Sequence, residues 1–128
     1  MHTDAQLVLT GFQAFAEGDM DTMRALFHDG AVWHAAGRSR FSGDYEGVDA
    51  ILGHFTDISS EAQIETEIHA VLADDDHVVV LTKGRLTKDA TTQASDGFFV
   101  FHVTEGKVSE AWAGAFDPYA GDEFWGAS

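Results

Sequence analysis

The sequence predicts one α+β domain in which a curved antiparallel sheet packs against three helices. Two helical segments come first, a short apolar strand and a third helix follow, and four consecutive strands occupy the rest of the chain. Helices followed by a run of strands are typical of an antiparallel sheet that carries its helices on one face. At 128 residues the chain has the length of one domain, residues 1–128.

Apolar spacing and end signals define the predicted helices. The first helix carries apolar side chains on one face and stops at Gly18, a residue type that commonly ends helices. Asp19 or Asp21 then provides an amino-terminal cap for the second helix. The predicted helices occupy residues 4–17, the segment from Asp19 or Asp21 to Phe27, and residues 48–58.

Five strands are predicted, and a turn of aspartates sets the register of the second and third. This turn, at residues 74–76, makes Ala73 face His77. The register places acidic side chains opposite basic ones, which stabilises a strand pair. The predicted charge pairs are Glu65 with Arg85 and Glu67 with Lys83. The predicted strands occupy residues 31–36, 62–73, 77–88, 92–104 and 107–117.

A second turn, Glu105-Gly106, is expected to join the last two strands as a two-residue hairpin. Closing that hairpin pairs Val103 with Val108. On the same face, the register continues with the pairs Phe101 with Glu110 and Phe99 with Trp112. The sequence therefore predicts a single carboxylate among aromatic side chains on one face of the sheet.

Composition excludes several classes of function. The formal charge of −15, from 22 acidic and seven basic residues, argues against nucleic-acid binding, which needs a basic surface. The absence of cysteine excludes disulfides, thiolate metal sites and cysteine nucleophiles. No apolar run has the length of a membrane span, and Met-His-Thr-Asp does not resemble the start of a signal peptide. We therefore expect a cytoplasmic protein without membrane contact.

Several motifs carry a family resemblance. They are a helix pair joined by Gly18-Asp19, the strand Ala31-Val32-Trp33-His34, the segment Gly43-x-Tyr45-x-Gly47-x-Asp49-Ala50-Ile51, and the hairpin Gly106-Lys107-Val108-x-Glu110-x-Trp112. With the element order, they resemble the SnoaL-like family of the nuclear transport factor 2-like (ketosteroid isomerase-like) superfamily. The resemblance covers nearly the whole chain. It implies a cone-shaped barrel with a hydrophobic cavity, and a homodimer formed through the outer face of the sheet.

The resemblance implies less about activity than about fold. This superfamily includes isomerases, polyketide cyclases, dehydratases, epoxide hydrolases and non-catalytic domains. Aligned with the ketosteroid isomerase pattern, His34 takes the position of that family's aspartate base. Gly11 stands where the family has an oxyanion-binding tyrosine, and Phe99 stands at or near the position of its protonated aspartic acid. The resemblance thus implies a base at His34, without steroid isomerase chemistry in that form.

His34 and Glu110 are the candidate catalytic residues. A neutral imidazole can accept a proton beside a carbonyl group near neutral pH. A carboxylate among aromatic side chains has its charged form disfavoured, which suits a general acid or a partner that orients His34. The alternatives are a histidine bonded to a backbone carbonyl at a strand end, and a glutamate that reaches water at the rim of the sheet.

Five further residues are candidates for substrate binding. Phe99, Phe101 and Trp112 either form the wall of a pocket for an apolar ligand or pack in the core. Tyr45 either hydrogen-bonds a ligand or covers the mouth of the barrel. His54, on the third predicted helix, faces either the cavity or solvent.

The function predicted first is a cofactor-independent acid–base enzyme of isomerase, cyclase or dehydratase type. Its substrate would be a small apolar carbonyl compound, and neither a cofactor nor a metal is expected. The alternative is a non-catalytic domain that binds a hydrophobic ligand or mediates dimerisation. A third hypothesis, epoxide or ester hydrolysis, needs an acid such as Asp96 to activate water.

Overall fold

The computed structural model describes residues 2–126 and contains four helices in that range. The three predicted helices are confirmed, and a fourth lies in the carboxy-terminal segment. The helices are α1 (Thr3–Glu17), α2 (Met20–Leu26), α3 (Val48–Glu61) and α4 (Pro118–Trp125).

Within the described residues, seven strands rather than the five predicted form one mixed sheet, and the predicted α+β class is confirmed. The strands are β1 (Phe27–Ala35), β2 (Gly43–Glu46), β3 (Gln63–Ala73), β4 (His77–Lys88), β5 (Thr91–Ala94), β6 (Gly97–Thr104) and β7 (Lys107–Ala115). Their order is β2-β1-β7-β6-β4-β3, with β5 paired to β4, so the sheet curves without closing. The β1–β7 pair is parallel, unlike the antiparallel pairing predicted throughout, because a long crossover from β2 to β6 separates these two strands.

Local sequence explains where the first helices end. Gly18 adopts a left-handed conformation, and its N–H bonds to the carbonyls of Ala14 and Phe15. The carboxylate of Asp19 caps α2 by accepting the N–H of Thr22, so Asp19 rather than Asp21 is the cap. The chain becomes extended at residue 27, and β1 therefore starts four residues earlier than predicted.

The predicted charge pairs between β3 and β4 are confirmed. Glu65 lies opposite Arg85 and Glu67 lies opposite Lys83. The predicted register at the turn is wrong, because Ala73 pairs with Val78 instead of His77. An irregularity between Ile68 and Ala70 inserts one residue into β3 and separates the two registers.

The register of β6 and β7 differs from the prediction at the residues that matter for function. Val103 does pair with Val108, but an irregularity between His102 and Val103 shifts every later pair by one residue. A shift of one residue reverses the face on which a side chain lies. The later pairs are His102 with Glu110, Phe101 with Ala111, Val100 with Trp112 and Phe99 with Ala113. Glu110 and Trp112 therefore lie on the face opposite Phe99 and Phe101.

The hydrophobic core lies between the inner face of the sheet and the helices. Ile51 of α3 and Val78 and Val80 of β4 are fully buried. The rings of Trp33 and Phe55 meet edge to face with centroids 4.8 Å apart, which ties β1 to α3. None of the helices within residues 2–126 has the length and hydropathy needed to cross a membrane.

Candidate functional site

A cavity of about 500 Å³ lies within the core, a volume typical of small-molecule sites. It is lined by all four helices and by the inner face of the sheet. Phe12, Phe99 and Phe101 form an aromatic wall: the Phe12 ring meets Phe99 edge to face at 5.0 Å, and the Phe99 and Phe101 rings are parallel at 6.3 Å. The inner face of β6 thus supplies two of the predicted substrate-binding residues to the cavity.

His54 is the one imidazole that lines this cavity, as far as the described residues go. Its side chain points inward from α3, its exposure is 7 %, and its ring stacks on Tyr45 with centroids 4.0 Å apart. Nδ1 is buried without a hydrogen-bond partner in the described structure. Burial lowers the pKa of His54 from 6.5 to about 4, an effect that the nearby charge of Asp57 partly opposes. The imidazole is therefore neutral near pH 7.

Tyr45 covers His54 without lining the cavity. Its hydroxyl donates a hydrogen bond of 2.7 Å to the carbonyl of Phe41, so the phenol already has a partner. Burial raises the pKa of Tyr45. Of the two interpretations of this residue, the geometry favours a cover over the imidazole.

The remaining polar groups around the cavity were not predicted as site residues. Ser39 and Thr82 are each only 5 % exposed. Asp122 lines the cavity from α4 and accepts the backbone N–H of Arg38 at 2.8 Å. Alternation along β4 marks Thr82 as inward-facing, because it follows the buried Val78 and Val80 at intervals of two. Asp122 carries no such signal, since only the tertiary packing of α4 brings it to the cavity.

Helix α4 is held over the cavity mainly by polar contacts with loops and strands. The amide of Gln93 donates to the carbonyl of Ala120 at 2.8 Å, and Nε of Arg40 donates to the carbonyl of Trp125 at 3.0 Å. Pro118, Gly121, Asp122 and Trp125 of this helix line the cavity. The carboxy-terminal helix thus packs over the core.

His34 and Glu110 meet, but outside the cavity. Nε2 of His34 lies 2.6 Å from Oε2 of Glu110, and Nδ1 lies 2.7 Å from Oδ1 of Asp44. The imidazole also stacks on Trp112 at 5.2 Å. Because a carboxylate only accepts hydrogen bonds, both ring nitrogens must donate, which requires the protonated imidazolium. The carboxylates of Asp44 and, second, Glu110 accordingly raise the pKa of His34.

The predicted orientation of these residues is wrong. Neither His34 nor Glu110 nor Trp112 lines the cavity, because all three lie on the outer face of the sheet. Side chains alternate along a strand, so the inward position of Trp33 turns His34 outward. Glu110 and Trp112 were assigned to the inner face through the register that the irregularity at residues 102–103 shifts. The proximity of His34 to Glu110 was predicted correctly; its place in the fold was not.

No cluster of three or more histidine, aspartate or glutamate side chains suited to a metal ion occurs in the part of the chain that the structure describes. Asp96, the acid that the hydrolase hypothesis requires, is exposed and does not line the cavity. Among the described residues, the ionisable groups that line the cavity are the neutral His54, the exposed Glu65 on β3, and Asp122 of α4.

The chain belongs to the SnoaL-like domain family, whose sequence model matches residues 8–111. The resemblance described from the motifs is therefore confirmed. Among solved structures, Bal32a from a soil-derived mobile gene cassette is 32% identical with a TM-score of 0.92, and the match covers 97% of each chain. No curated protein sequence matches this chain.

More distant solved structures share the fold. A candidate SnoaL-like polyketide cyclase from Jannaschia sp. CCS1 is 18% identical with a TM-score of 0.81, and the match covers 92% of this chain and 88% of that one. An LEH-like epoxide hydrolase from M. tuberculosis is 18% identical with a TM-score of 0.78, covering 96% and 91%. The cone-shaped architecture that the resemblance implies is thus shared with proteins described as different enzymes.

Proposed function

We propose that this protein binds a small, predominantly apolar molecule in the cavity, with His54 as its polar contact. The observation that carries the proposal is an aromatic-lined cavity of about 500 Å³ into which one buried imidazole points. Ligand sites typically combine apolar walls with a few polar groups that orient the ligand. The imidazole of His54 lines the cavity, and a neutral imidazole supplies one hydrogen-bond donor and one acceptor nitrogen.

His54 is better suited to hydrogen bonding than to abstracting a proton. General bases work best when their pKa lies near the working pH, and burial lowers the pKa of His54 to about 4. An imidazole three units below pH 7 has about 10³-fold less thermodynamic drive to take a proton. Ligand binding is therefore supported more directly than the base-catalysed isomerisation first expected at His34.

Acid–base catalysis in the same cavity is a second candidate, favoured by Asp122. This carboxylate lines the cavity close to apolar surface and is oriented by the N–H of Arg38. The substrate would be a neutral carbonyl compound or an epoxide, with Asp122 as the base. In this case, replacing Asp122 with asparagine would abolish turnover of the bound compound while leaving its Kd within about threefold of wild type.

A fluorescent ligand tests the binding proposal. N-phenyl-1-naphthylamine is neutral and apolar, and we expect wild-type protein to bind it with an increase in dye fluorescence. Ala113→Phe places a ring into the cavity from β7, and it should weaken binding by at least about tenfold. Val100→Phe adds the same ring on the outer face of β6 and serves as the matched control, with binding expected within about twofold of wild type.

Thermal unfolding of each variant would establish that both are folded before binding is compared. Equal binding by the two variants would show that the cavity is not the site. Absence of binding by folded wild-type protein would overturn the proposal. Mass spectrometry of compounds that copurify with the protein would then identify the natural ligand.

A further inference from the structure

We infer that the cavity selects electrically neutral ligands and rejects carboxylates and other anions. This inference rests on the proposed ligand-binding function and adds the charge class of the ligand. The supporting observation is which charged side chains line the apolar cavity and which do not.

No lysine or arginine lines the cavity within residues 2–126. The ionisable residues that do line it are His54, Glu65 and Asp122. Glu65 is exposed and lies opposite Arg85, whereas Asp122 lines the cavity from α4, and neither carboxylate can offset the charge of an anionic ligand. A ligand carboxylate inside this cavity would therefore be desolvated without a counter-ion, which strongly disfavours its charged form.

The basic side chains nearest to the cavity, those of Arg38 and Arg40, do not line it. Arg40 pairs with Glu61 and lies over the ring of Phe41. Arg38 is exposed and lines a surface depression that shares Gly37, Pro118 and Asp122 with the cavity, but Arg38 itself does not line the cavity. Both guanidinium groups therefore lie outside the set of side chains that a buried ligand would contact.

His54 does not supply the missing positive charge. Burial among apolar neighbours keeps the imidazole neutral at physiological pH, since its pKa lies near 4. The ring of His54 packs against the rings of Tyr45 and Phe55. Because the ring is uncharged, its polar interaction with a ligand is a hydrogen bond. A neutral imidazole has one donor and one acceptor nitrogen, so it suits a ligand hydroxyl or carbonyl group. The preferred ligand class is a neutral aromatic or polycyclic molecule with such a group.

Two ligands with the same ring system separate charge from shape. At pH 7.5, 2-naphthol is neutral and 2-naphthoic acid is an anion, and each would be titrated against protein loaded with N-phenyl-1-naphthylamine. We expect 2-naphthoate to displace the dye with a Kd at least about 100-fold higher than that of 2-naphthol. Between pH 5.5 and 7.5 the apparent Kd of the acid should rise about tenfold per pH unit, because only its shrinking neutral fraction binds. The Kd of 2-naphthol should stay constant over this range.

A cation placed in the cavity should weaken the preference for the neutral ligand. An added Cβ at Gly121 makes only ordinary contact, 3.7 Å from the Cβ of Ala115, so a side chain can be introduced at this position of α4. Gly121→Lys should reduce the difference between the two ligands by about tenfold or more. Gly121→Met, of similar length but uncharged, is the matched control and should leave the difference unchanged.

The outcomes distinguish the two proposals. Equal affinity of wild-type protein for 2-naphthol and 2-naphthoate, without pH dependence, would overturn charge selection while the binding function stands. A tighter complex with 2-naphthoate would do the same. If the protein binds neither the dye nor either naphthalene compound, the proposed function fails, and the inference fails with it.

Discussion

His54 and His34 carry the same side chain in opposite environments, one inside the core and one on the outer face of the sheet. His54 is buried among apolar groups, and its pKa falls to about 4. His34 lies between the carboxylates of Asp44 and Glu110, and its pKa rises. Desolvation dominates in the first case and hydrogen bonding to charged partners in the second. The comparison shows that residue type alone does not determine the pKa of an imidazole. The pKa depends on which side of the sheet the side chain lies and on what surrounds it there.

The largest expected effect is on the free energy of unfolding, when the tryptophan on each face of the sheet is replaced by alanine. Trp33 is 6 % exposed and packs against Phe55 and Phe101, so Trp33→Ala should lower the free energy of unfolding by about 3–5 kcal/mol. Trp112 is partly exposed and stacks on His34, so Trp112→Ala should cost about 1.5 kcal/mol or less. Urea denaturation of both variants measures the difference. Comparable losses would indicate that the outer face is buried in a homodimer, the assembly that the family resemblance implies.

The next effect is the pH dependence that His54 adds to stability. Its folded-state pKa of about 4 lies below the unfolded value of 6.5, so the unfolded chain binds the proton more tightly. The contribution of His54 to the free energy of unfolding is therefore fully present above pH 6.5. It is lost as the pH falls toward 4, and the loss is on the order of 3 kcal/mol. His54→Gln removes the titrating group. Denaturation between pH 7 and 4 should show a shallower loss in this variant, and an identical slope would contradict the burial of a neutral imidazole.

The smallest expected effect is the pH dependence that His34 adds to stability, and its sign is opposite to that of His54. Because its folded-state pKa is raised above 6.5, its contribution is present at lower pH and is lost as the pH rises through the folded-state pKa. The pair is partly exposed, so the contribution should stay at or below about 1 kcal/mol. NMR titration of the ring should place the pKa of His34 above 6.5. Asp44→Asn should lower it more than Glu110→Gln, and a pKa unaffected by either change would contradict the double contact.

Local patterns in the sequence were sufficient to predict much of the fold. Gly18 and Asp19 mark a helix boundary through backbone conformation and capping, both of which depend on neighbouring residues alone. The charge pairs of β3 and β4 were predicted because opposite charges recur at intervals of two. Phe99 and Phe101 were placed on one strand face by the same alternation.

The candidate site was harder to predict because it depends on single-residue irregularities. The shift between His102 and Val103 moves Glu110 and Trp112 across the sheet, and no residue type at that point announces it. The parallel pairing of β1 with β7, which joins His34 to Glu110, spans 76 positions along the chain. Likewise, Asp122 reaches the cavity only because α4 folds back over the core.

The sequence by itself determined the α+β class, the order of the three predicted helices and the family. These features follow from periodicity, capping and charge complementarity, which are written in residue spacing. Only the tertiary structure decided which side chains face the cavity: His54 and Asp122 line it, whereas His34 and Glu110 do not. The physical reason is that successive side chains of a strand point to opposite faces of the sheet, so one inserted residue reverses the face of every later side chain. Such irregularities arise from packing across the whole sheet.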